Sequence, residues 1–258
     1  AVAQARQLFD RAYGRFTPAE APWARGGVLV DPFRPLVEPD GFADGAALEA
    51  DRARHLAATR SVFEDSDVFV FTLGLTEAWR SRADGAVFAT APGVNGGEWD
   101  PERYEFVNFG VDEVRGGLFA LCESIRSVNP DVRILLTVSP VPLIATYEDR
   151  HVLVSTTASK AVLRVAADEA HRRFDFVDYF PSFEMISAAT SPRNHYAADL
   201  REVEDLGVAH VMRSFTRHYV EGRPWVAAPS APVAPAASGP RSVVCDEETI
   251  AAAIAASS

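Results

Sequence analysis

Two hydrophobic periods alternate along this chain. Residues 2–13 (VAQARQLFDRAY) and 45–64 (GAALEADRARHLAATRSVFE) set apolar side chains at helical spacing, the second through Leu48, Ala53, Leu56, Ala57 and Phe63. The run DVFVFTLGL, Asp67 to Leu75, is instead continuous, β-branched and aromatic, as a strand buried on both faces requires. Helical spacing returns over 112–127 and stops at the Asn129-Pro130 breaker. VRILLTV (132–138) is a second buried strand, closed by Ser139-Pro140. A helix over 158–173, a short third strand over 174–180 (FDFVDYF) and a closing helix over 202–219 complete the body. Strands alternate with crossovers long enough for helices. That order predicts an α/β fold, a three-layer α/β/α sandwich with a central parallel sheet.

Beyond Gly222 the pattern fades. GRPWVAAPSAPVAPAASGPRS is rich in Pro, Ala and Ser without periodicity. The expected division is therefore a domain over 1–221, a linker over 222–241 and a short tail over 242–258 whose Cys245-Asp246-Glu247-Glu248 carries helix-start acids.

Composition narrows the function classes. The chain has 258 residues, 48% of them hydrophobic, enough for a large core. Its 25 Lys and Arg face 36 Asp and Glu, a net charge of −11. That balance argues against nucleic acid and anionic lipid as partners. No apolar run nears the roughly 18 residues of a membrane span. Cys122 and Cys245 make neither a disulfide framework nor a metal site. Lys160 is the single lysine, and no signal peptide is visible at the amino end, so a cytoplasmic location and an absence of cofactor and metal are expected. The opening AVAQARQLFD has no initiator Met, as in a fragment or a processed product.

In a parallel sheet the ligand sits beyond the carboxyl ends of the strands, so chemistry is sought just after each one. After the first come Gly74, Thr76 and Glu77: a glycine that bares its N–H, a hydroxyl and a carboxylate, able to hold an oxyanion. The alternative is a turn with Thr76 as the N-cap of a helix. Ser139 follows the second strand. Further on, His151 with Glu148 has the composition of a base and its orienter. Ser159 beside Lys160 invites comparison with serine–lysine nucleophile pairs, but adjacent helical positions point about 100° apart, which favours an anion-holding or structural Lys160. His195 near Asp199 offers an acid–base pair; the alternative makes Asp199 a helix N-cap with Glu202 closing a capping box. The glycine-rich Pro92–Gly97 stretch lacks the lysine of a phosphate loop and reads as a lid or a surface hairpin. His55, His171, His210 and His218 read as surface residues of helices.

Several of these segments together, DVFVFTLGLTEAW (67–79), APGVNGG (91–97), LLTVSPVPLIATY (135–147), SKAVLR (159–164) and VDYFPSFE (177–184), resemble the bacterial GSCFA-domain family over about residues 5–220. The resemblance implies a flavodoxin-like sandwich of the SGNH/GDSL hydrolase type, with serine chemistry on acyl esters, and with a first strand and nucleophile block ahead of Ala1, since no Gly-Ser-Cys-Phe-Ala string occurs in these residues. Gly74-Leu75-Thr76-Glu77 then falls on the Gly-x-Asn-Asp block, with Thr76 in place of the amide. Asp199-Leu200-Arg201-Glu202 falls on Asp-x-x-His, with Glu202 where the base histidine belongs. A glutamate of pKa about 4.3 is a far weaker base than imidazole at about 6.5. His195 is the other candidate. Ser139, His151 and Lys160 complete the expected substrate-binding set. The implied activity is an esterase or acyl hydrolase on an acylated glycan or similar small-molecule ester. An O-acyltransferase and an inactive carbohydrate- or partner-binding module on the same fold remain the alternatives.

Overall fold

A computed structural model describes residues 1–188 and 195–220. The expected linker and tail, from 222 onward, lie outside the described residues, as does Asn194. Residues 1–216 form one compact unit, and a five-residue π-helical turn, Thr216–Val220, follows the last α-helix.

The chain opens with α1 (Val2–Ala12), a short antiparallel pair β1 (Trp23–Arg25) and β2 (Val28–Val30), and α2 (Gly45–Asp65). Asp44 caps α2 by accepting the Ala47 N–H. β3 (Val68–Leu73) follows, and then the sequence reading is corrected. No helix begins at Thr76: β4 (Glu77–Ser81), β5 (Val87–Phe88) and β6 (Tyr104–Asn108) form a separate antiparallel sheet in the order β5-β4-β6. Trp79 and Phe106 sit opposite one another there, a cross-strand aromatic pair of the kind that holds such sheets. The chain returns through α3 (Val111–Val128), β7 (Arg133–Val138), α4 (Val152–Arg173), β8 (Val177–Tyr179), the short α5 (Ser182–Ser187) and α6 (Asp205–Phe215).

The parallel sheet is ordered β3-β7-β8, with Val68–Leu73 beside Arg133–Val138 and Ile134–Leu136 beside Val177–Tyr179. Its two crossovers step the same way, so their helices α3 and α4 cover the same face. There Leu118, Leu121, Ile125, Leu163, Ala167 and Ala170 close over Ile134, Leu136 and Val138, joined by Phe9 of α1 and Phe63 of α2. On the opposite face Thr137 meets Ser182 of α5 at 2.5 Å, and α5 packs against α6. Helices on both sides of a parallel sheet make the three-layer α/β/α fold. Among the described residues no helix is long and apolar enough to cross a membrane.

Two boundaries moved for a physical reason. α4 starts at Val152, six residues earlier than its apolar spacing indicates, because His151 caps it. α6 starts only at Asp205: Asp199 spends its carboxylate on the N–H groups of Arg201 and Glu202, in a turn where Leu200 has φ 57°, so neither Asp199 nor Glu202 caps a helix. The Pro92–Gly97 stretch lies against β1, where the Gly97 N–H donates to Ala24 O and the glycine, at φ 70°, sits under the Trp23 ring.

β3 is an edge strand among the described residues. The N–H groups of Arg133 and Ser139 donate to Asp67 O and Leu73 O, so the backbone N–H and C=O groups of odd-numbered β3 residues point at β7 and those of even-numbered ones point away from it. Val68 and Val70 are 53% and 49% exposed. Leu136→Ala should lower unfolding free energy by roughly 2–5 kcal/mol, while Val70→Ala should change it by about 0.5 kcal/mol; urea denaturation followed by far-UV circular dichroism measures both.

Candidate functional site

The turn leaving β3 gathers side chains from three distant segments. Leu73 ends the ladder, and Gly74-Leu75-Thr76 crosses to β4. From α4, Ser159 accepts the Thr76 N–H at 3.0 Å, and Lys160 donates to Gly74 O at 2.8 Å. The two neighbours do not pair with each other; each holds a different atom of the same turn. The Thr76 hydroxyl donates to Asn108 Oδ1 at 2.7 Å, and Asn108 Nδ2 donates to Glu148 Oε1 at 2.8 Å. Thr146 ties the second carboxylate in, donating to Glu77 Oε1 at 2.6 Å while accepting the Glu148 N–H.

This clamp leaves two donors over. Both polar groups of Thr76 are engaged inside the protein. The N–H groups of Gly74 and Leu75 have no hydrogen-bond partner among the described residues, and a Cβ at Gly74 would meet nothing within 4 Å. Two successive N–H groups without an internal partner, at the carboxyl end of a parallel strand on a turn braced by α4, are available to a carbonyl or carboxylate oxygen. Leu75 and Thr76 also line a cleft of about 310 Å³ between α1, α3 and β4, bordered by Arg6, Asp10, Arg80 and Glu113.

Lys160 is the electrostatic centre of the site. Its residue is 2% exposed, and burial lowers its ammonium to about 8. Desolvation disfavours the charged form, and a carbonyl alone offsets that only in part.

The remaining expected residues sit around this turn without closing on it. Ser139 donates its N–H to Leu73 O and accepts the Val141 N–H on its hydroxyl. His151 accepts the Leu153 N–H on Nδ1, which commits that nitrogen to capping α4 and not to Glu148. The 195–204 segment is a tight hairpin, with Tyr196 bridged to Val203 and the Tyr196 hydroxyl donating to Pro140 O at 2.9 Å. It thus rests at the same end of the sheet as Gly74. Within it the expected orienter and base are not joined. Asp199 is held well below the usual carboxylate range by the Arg201 and Glu202 N–H groups, and His195 stacks on His210 with centroids 6.1 Å apart. Glu202 gives its carbonyl to the Ala197 N–H. Asn108 and Thr146 were not marked by any sequence signal; only the β4–β6 sheet, itself unforeseen, brings Asn108 to Thr76. No group of three or more His, Cys, Asp or Glu able to hold a metal occurs among the described residues.

Beside Glu148 an aromatic wall stands in solvent. Trp79 is flanked edge-on by Trp99 and Tyr147, each with its centroid 4.7 Å away. Trp99 is 47% exposed and Tyr147 62%.

A parallel α/β sandwich with a braced polar turn at the carboxyl end of its first sheet strand, and an antiparallel flap beside it, defines the class of this protein. The chain belongs to the GSCFA family, whose model matches residues 3–215. No curated protein and no solved structure matches it.

The clamp has measurable consequences. Ser159→Ala strands the buried Thr76 N–H and should cost about 1–3 kcal/mol. For Lys160 the folded value lies below the unfolded one, so the unfolded state binds more protons between them and stability rises with pH. The penalty is full below pH about 8 and is relieved as pH climbs toward the ordinary lysine value of 10.5. Urea denaturation of wild type and Lys160→Met at pH 7.0, 8.5 and 10 should show the stability difference moving in favour of wild type with rising pH.

Proposed function

We propose that this protein processes acyl esters through an SGNH-type site, with the Gly74 and Leu75 N–H groups as the oxyanion-binding side. The observation that carries the reading is that donor pair: two adjacent N–H groups without a partner among the described residues, on a turn braced by Lys160 and Ser159. Family membership and the fold support it. The reading takes its nucleophile from a serine ahead of Ala1, as the family resemblance implies, and its base from His195, which lies on the same hairpin as Asp199. A glycan is the favoured substrate. Exposed Trp99 and Tyr147 offer flat apolar faces for a sugar ring, and Glu148 and Arg150 stand beside Tyr147 in sequence as partners for hydroxyl groups.

The engagement of Asp199 with its own turn favours a second reading, a carbohydrate-binding module without turnover. Hydrolysis of p-nitrophenyl acetate by the full reading-frame product separates the two. Gly74→Pro removes one donor and should lower kcat by about 10²–10³, whereas Gly74→Ala, which keeps the N–H and meets no neighbour, should stay close to wild type. His195→Ala should lower kcat by about 10³–10⁴. Absence of turnover, or equal activity in both Gly74 variants, rejects the ester-processing reading; glycan binding with no turnover supports the second.

A further inference from the structure

A second cavity, of about 360 Å³, lies between α1, α2 and β3, away from the Gly74 turn. Its polar rim carries Arg11, Arg34 and His55, its walls Leu8, Phe33, Phe71 and Val87, and no carboxylate lines it. The three basic groups are not equivalent. Arg34 is spent on Asp31 and Asp51. Asp31, fully buried, is saturated: Oδ1 accepts the Phe33 N–H and Arg52, and Oδ2 accepts two groups of Arg34. Arg11 feels the charges of Asp31 and Glu49 but bonds to neither. Its guanidinium lies 4.2 Å from the centre of the Phe33 ring and makes no hydrogen bond or ion pair, although the residue is only 7% exposed. Burial lowers it to about 10, so it keeps its charge at neutral pH.

A guanidinium has five donors, and leaving them unsatisfied in the interior is expensive. Here they open on a cavity whose walls are mainly apolar and whose size falls at the small end of ligand pockets, about 300–1,000 Å³. The planar fork of arginine matches the two oxygens of a carboxylate. The mainly apolar walls favour a monoanion with a hydrocarbon body over a dianionic phosphate, whose greater charge costs more to desolvate. We propose that this cavity binds one monoanionic carboxylate with a short hydrocarbon body, its head on Arg11 and its chain against Leu8, Phe33, Phe71 and Val87. This site is independent of the ester-processing turn and stands or falls without it.

Hexanoate is the probe, with 1-hexanol and inorganic phosphate as comparisons, followed by isothermal titration calorimetry and thermal unfolding on this chain and on the full reading-frame product. Hexanoate should bind both with one site per chain and raise Tm, since a ligand of the folded state alone stabilises it. Hexanol and phosphate should bind about tenfold more weakly or worse, and Arg11→Met should weaken hexanoate by about tenfold or more, the scale of a lost charge-assisted hydrogen-bond pair. No binding by wild type, undiminished binding by Arg11→Met, phosphate binding tighter than hexanoate, or loss of binding in the full reading-frame product would each overturn the proposal. If Arg11→Met does not fold, wild type with ¹³C-labelled hexanoate decides: cross-relaxation from the chain protons to the Phe33 and Phe71 rings supports the site, and its absence rejects it.

Discussion

A turn on the surface of a sheet is ordinarily soft, and here it is made stiff by one buried helix edge. Ser155, Ser159 and Lys160 are all buried on α4, and the last two reach the main chain of Gly74 and Thr76 across more than eighty positions of sequence. Placing an ammonium in the interior to hold one carbonyl is unfavourable on its own account. The helix tolerates it because its other contacts are apolar and dense: Leu163, Ala166, Ala167 and Ala170 lock α4 onto the sheet. Packing energy on one stretch of the helix thereby sustains polar strain on the next, and the shape of the turn is inherited from the core.

The layered body could be read from sequence because its signals are local. VFVFTL and RILLTV are strands under any neighbour, and α1, α2 and α3 begin and end within a residue or two of their apolar patterns. The antiparallel flap escaped because its strands are short and its pairings distant in kind. β5 has two residues, and β4 hides its alternation behind Arg80 and Glu77, whose charges are satisfied only by Glu105 and Thr146. The Gly74–Glu77 stretch was marked as important for its strand-end glycine, but its partners were not foreseeable. Asn108 meets Thr76 through the unforeseen flap, and Ser159 with Lys160 meets it through the tilt of a helix that begins six residues earlier than its pattern announces. The Asp199 segment shows the converse. A spacing that fits both a capping box and an acid–base pair was resolved into neither, since a left-handed Leu200 turned the carboxylate back onto its own chain.

Charge is organised on two scales. Over the whole sequence the acids prevail. Around β2 the arginines do: Arg11, Arg34 and Arg52 converge on the single buried Asp31, with Asp51 and Glu49 outside. Such a knot fixes the start of α2 against the β1–β2 pair more by geometry than by net energy, because the desolvation of each ion consumes most of its attraction. Cys122, by contrast, is chemically quiet, its thiol pushed up to about 12 by burial in the core.

The outward rim of β3, an edge among the described residues, has a bearing on how this 258-residue chain by itself behaves in a tube. Between Val68 and Leu73 there is no charge, no proline and no bulge, the usual devices that keep a bare strand from recruiting another. Hydrogen-bonding groups and half-exposed valines repeat there at the spacing a passing extended peptide would match. Crowded, warm or partly unfolded preparations are therefore where intermolecular ribbons would nucleate, and a lysine at position 70 is the smallest change that would blunt this seam while leaving the buried side of the sheet untouched.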